Sequence, residues 1–102
     1  METNDSLIYV GRLEGGCPAV FAVGATSVER LHPAGLAFGW GADGGADAEE
    51  LARALLTDAS GAEPPTDVCR RFAEQILSRL PSDGFALQRD TIRAWLRRVV
   101  TV

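Results

Sequence analysis

The chain has 102 residues, of which 46% are hydrophobic and 24% charged, and a net charge of −4 at pH 7. This composition fits one globular domain able to bury a core without metal or disulfide staples. No apolar run approaches the ~18 residues needed to span a bilayer. The polar, acidic start Met1–Ser6 does not read as a secretory or organellar signal and is expected to be flexible. The acidic total argues against general nucleic-acid binding, which rests on neutralising phosphates.

Charge is uneven along the chain: residues 1–69 carry a net −8 and residues 70–102 a net +4, with arginine as the only basic side chain besides His32. Cys17 and Cys69 are too few for a disulfide framework and lack zinc-site spacing, so both read as thiols in a reducing, cytoplasmic setting, with Cys69 buried.

Leu7-Ile8-Tyr9-Val10 reads as a strand, Glu14–Pro18 as a turn and Ala19–Val23 as a second strand, together an antiparallel hairpin. Thr26–Leu31 fits a turn or a short helical segment. Leu36-Ala37-Phe38 reads as a third strand with Trp40 at its exit. The glycine-rich turn Gly39–Gly45 follows. Asp47-Ala48-Glu49-Glu50 has capping-box form and predicts a helix to about Asp58, with Leu51 and Leu55 inward. Glu63-Pro64-Pro65 is a stiff connector, and Thr66 is placed to cap a second helix whose apolar face is Val68, Cys69, Phe72, Ala73, Ile76, Leu77 and Leu80. Pro81 ends it. Phe85–Leu87 is a short extended piece. A third helix from about Arg89 to Arg98 turns Ile92, Trp95, Leu96 and Val99 inward. The expectation is a single α+β domain over residues 1–102, a small antiparallel sheet of three or four strands packed on one face by three helices.

Phe38, Trp40, Gly41, Gly44, Gly45, Leu51, Ala52, Leu55 and Leu56, with the early Tyr9-Val10-Gly11-Arg12 and the late Gly84-Phe85-Ala86-Leu87, Ile92, Trp95 and Leu96, resemble a small family catalogued only as a domain of unknown function. Its hallmark is Phe-x-Trp-Gly-Tyr, then Gly-Gly-Ser-Gly-Pro, then a Leu-Ala-rich helix, and its members occur in bacteria, archaea, phages and other mobile elements. The resemblance covers roughly residues 9–98. Ala42-Asp43 stands where the family has its tyrosine, and Ala46-Asp47-Ala48 replaces the Ser-Gly-Pro step. The resemblance implies a mobile-element context and no established chemistry.

No nucleophile elbow, paired-carboxylate signature or metal-ligand cluster is visible, and His32, before Pro33, has no motif-placed nucleophile. The reading is therefore not an enzyme, with no metal and no cofactor. Asp43, Asp47 and Glu49 lack EF-hand register and assured oxygen ligands for a cation. The preferred function is a non-catalytic interaction module. The mobile-element context suggests a host protein as partner, such as a defence nuclease in a nucleoprotein complex, contacted through Asp43, Asp47, Glu49 and Glu50 with a part-exposed Trp40 as anchor. One alternative is nucleic-acid binding by Arg89, Arg93 and Arg97, which share one helical face, with Arg98 beside it. The other is a small ligand or nucleotide at the Gly39–Asp47 turn.

Overall fold

The computed structural model describes residues 7–32, 37–42 and 45–100. Met1–Ser6, Leu36, Asp43 and Gly44, on which expectations were placed, lie outside them. Four strands, β1 (Ile8–Glu14), β2 (Cys17–Val23), β3 (Val28–Leu31) and β4 (Gly84–Gln88), form one antiparallel sheet in the order β3-β2-β1-β4. Three helices, α1 (Gly45–Ser60), α2 (Thr66–Gln75) and α3 (Arg89–Val100), complete an α+β fold. No helix among the described residues is long and apolar enough to cross a membrane.

The alternation of each strand decides which side chains meet the helices. Tyr9 pairs with Ala22 and Leu87, and Gly11 with Val20 and Phe85, so these residues share one face. Tyr9, Val20, Ala22 and Phe85 on that face are buried with Leu51, Leu55 and Leu56 of α1, Cys69 and Phe72 of α2, and Ile92 and Trp95 of α3. Phe72 and Trp95 meet edge to face with ring centroids 4.9 Å apart, joining α2 to α3. Leu80, Ile76 and Leu96, expected in the core, pack at its margin instead.

Three local expectations are corrected. The third strand is Val28–Leu31, read from sequence as a turn or helical segment, whereas Ala37 and Phe38 pair with no strand. Phe38 is nonetheless buried, so its apolar signal came from the core and not from a ladder. Helix α1 begins at Gly45, so Asp47 lies within its first turn instead of at a cap, and it runs on to Ser60. There Gly61, at φ 85°, donates its N–H to the Thr57 carbonyl, a left-handed helix stop that glycine adopts without strain. Helix α2 has Pro65 at its N-cap, so Thr66 is its first residue and caps nothing. It also ends at Gln75. Beyond Ile76, at φ −113°, the chain tightens into a 3-10 turn over Leu77–Arg79. The Leu77 carbonyl accepts the Leu80 N–H within that turn at 3.2 Å and also the Gly41 N–H at 2.8 Å, which ties the glycine-rich turn to the end of α2.

Candidate functional site

The glycine-rich turn is built from inside the fold. Trp40 is 7% exposed. Its indole N–H donates to the Pro81 carbonyl at 3.0 Å, and its ring meets Phe85 edge to face at 4.9 Å. The expected part-exposed anchor is therefore a core residue that pins the turn to the segment before β4. Gly39 donates its N–H to the Asp47 carbonyl at 3.1 Å, and the Gly41 N–H is held by Leu77. Two backbone donors that a phosphate at this turn would use are thus already occupied. Among the described residues no group of three or more His, Cys, Asp or Glu side chains could hold a metal ion.

The acids expected around this turn separate into two sets. Glu49 faces α2 and pairs with Arg70 at 3.6 Å and with Arg53 at 3.9 Å. It thereby lines the cavity of about 320 Å3 between α1 and α2 that also holds Gly41, Gly45, Arg70 and Ser78. Asp47 is exposed, and Glu50 lies one turn further along α1. Asp43 lies outside the described residues.

Glu50 opens onto a second cavity of about 310 Å3 that sequence reasoning missed. Its walls are Glu50, Arg53, Ala54, Thr57 and Asp58 of α1, Leu31 and His32 at the end of β3, and Glu63 of the connector. Glu50, Ala54, Thr57 and Asp58 follow helical three-four spacing, which was visible in the sequence; the approach of β3 and Glu63 was not. Arg53 donates to Glu63 at 3.1 Å across this cleft. Carboxylates outnumber the single arginine in its lining.

Behind the cleft, the Tyr9 hydroxyl donates to Asp58 at 2.6 Å, and Arg89 lies 3.7 Å from the same carboxylate. Burial, reinforced by Asp58 and partly offset by Arg89, pushes the Tyr9 hydroxyl up to about 12. Arg93 donates through Nε to the Ala59 carbonyl at 2.8 Å, satisfying one of the last acceptors of α1 where a cation also suits the helix dipole. The arginine stripe is therefore split: Arg89 and Arg93 dock α3 onto the end of α1, while Arg97 and Arg98 are exposed. Cys69 is a buried free thiol whose pKa burial raises, and Cys17 is an exposed one.

The model of DUF6166, a family of unknown function, matches residues 12–98. The chain belongs to this family. Neither a curated protein nor a solved structure matches it. The DUF6166 match reaches from the middle of β1 to near the end of α3, so it spans the sheet, the turn and all three helices.

Proposed function

We propose that this DUF6166 protein is a non-catalytic interaction module that grips a basic surface of a partner protein in its α1 cleft. The observation that carries the reading is the lining of that cleft. Glu50, Asp58 and Glu63 surround an apolar floor of Leu31 and Ala54, with Arg53 as the cation among them. A cleft with low-dielectric walls focuses the field of its charges, and an acidic one attracts arginine or lysine side chains. Asp47, exposed at the start of the same helix, extends the acidic track. Rigid anchorage supports this use, because Tyr9 and Arg89 hold Asp58 in place from within the fold. A partner surface built to hold nucleic acid, such as that of a host defence nuclease, has the matching charge, and occupying it would inhibit the nuclease.

The test is affinity capture from lysate of the native host, with and without nuclease treatment, with the wild-type chain and a Glu50→Lys/Glu63→Lys variant side by side. A partner retained by the wild type and lost by the variant, at matched thermal stability, is expected. Reversing two rim charges should weaken binding by roughly tenfold or more and flatten the loss of binding with salt that the wild type shows. Equal capture by both would overturn the reading, and a catch that disappears with nuclease would move the interface to Arg97 and Arg98.

A further inference from the structure

The sheet has a second face, opposite the helices, and no element of the described fold covers it. An antiparallel sheet with one solvated face ordinarily alternates apolar-in with polar-out. Here the outward positions are instead mostly apolar: half-buried Ile8 and Val10 on β1, half-buried Phe21 and Val23 and buried Ala19 on β2, and exposed Val28 on β3. Val28 is 67% exposed, and with Val10, Phe21, Val23 and Arg12 it lines a shallow depression of about 180 Å3. Arg12 and Arg30 come from the strands on either side of β2 and stack on Phe21, their guanidinium carbons 5.3 and 5.6 Å from the ring centroid. They are 62% and 49% exposed and share one carboxylate, Glu14, at 2.7 and 3.4 Å.

We propose that this face docks a segment of a partner protein that sets apolar side chains on Val10, Val23 and Val28 and a carboxylate on Arg12 and Arg30. Three observations select that occupant. The two guanidinium groups are held in place by Phe21 and Glu14, and together with Glu14 they leave a net positive rim, which is complementary to a carboxylate. Both already lie over the Phe21 ring, where they compete with a nucleic-acid base for the aromatic surface, and the whole chain carries −4. The size of the face disfavours a second copy. Strands of at most seven residues in a four-stranded sheet bound it at roughly 450 Å2 from strand rise and spacing. Two copies face to face would bury roughly 900 Å2, short of the ~1,200–2,000 Å2 of a stable complex. A single segment, with its anchors concentrated on a few residues, needs no more than this.

The experiment is selection of a displayed random-peptide library on the intact chain, followed by fluorescence-polarisation affinities of the enriched peptides. The expected peptides combine Asp or Glu with neighbouring Leu, Ile, Val or Phe. Val28→Asp and Arg30→Glu, both exposed substitutions checked by thermal melting, should each weaken them by about tenfold or more. The Glu50→Lys/Glu63→Lys variant should bind them as the wild type does, which separates this face from the acidic cleft. The proposal is overturned by an absence of enriched peptides. It is equally overturned by peptides that bind the Val28→Asp and Arg30→Glu variants undiminished, by dimerisation in sedimentation that Val28→Asp abolishes, or by oligonucleotides competing for the face at moderate salt.

Discussion

Tyr9 connects the core to the candidate cleft with a single atom. Its ring is fully buried on the helix-facing side of the sheet, and its hydroxyl is spent on Asp58, the carboxylate that Arg89 also approaches. The ionised phenolate would be both desolvated and repelled there, which is why the group titrates at about 12 instead of its usual 10.0. Above pH 10 the unfolded chain releases this proton and the folded chain keeps it. Stability contributed by Tyr9 is therefore complete below pH 10 and is lost as pH rises toward 12, by up to about 2–3 kcal/mol. Tyr9→Phe should cost about 1 kcal/mol at neutral pH through the lost hydrogen bond and should flatten that alkaline decline. Urea unfolding of both proteins between neutral pH and pH 12 checks it; parallel declines would show that other groups govern alkaline unfolding.

At the scale of elements, the turn and the sheet are locked by a stack that runs from Gly11 through Phe85 to Trp40. Gly11 faces the core from β1 directly opposite Phe85 of β4, and a Cβ at Gly11 would overlap the Phe85 ring. The ring covers the glycine and in turn supports Trp40 edge to face. Gly11→Ala should destabilise by about 1–3 kcal/mol through overpacking, and by less when Phe85→Leu makes room. A double-mutant cycle in denaturant measures this, and full additivity would deny the contact. The same stack explains what the sequence could and could not reveal. The periodicity of Leu51, Leu55, Phe72 and Ile92 is a local signal and identified the helical layer correctly. The burial of Trp40 was not legible, because it depends on Pro81 and Phe85, which lie more than forty residues away in the chain. Local signals also misplaced β3. Val28-Glu29-Arg30-Leu31 carries two charges, and it becomes a strand because β2 offers it an open edge.

At the scale of the molecule, the acidic cleft was half legible. Glu50, Ala54 and Asp58 share a helical stripe that any helical projection reveals, but Leu31, His32 and Glu63 reach it only through the sheet topology. That topology also leaves β3 at the edge of the sheet, where unpaired backbone groups invite a second molecule. The two charges that obscured β3 in the sequence act against that pairing. Two β3 strands paired antiparallel about a two-fold axis must set residues of the same face opposite each other. A register centred on Glu29 opposes two carboxylates, and one centred on Arg30 opposes two guanidinium groups; like charges directly opposite are unfavourable. Replacing both with threonine removes the repulsion and raises strand propensity, while the pairing of β3 to β2 stays intact. The Glu29→Thr/Arg30→Thr variant should therefore sediment as dimers or larger species at concentrations where the wild type does not, and Val28→Pro added to it should reverse the effect by spoiling the edge. Identical sedimentation of the wild type and the double variant would mean that something other than charge protects this edge.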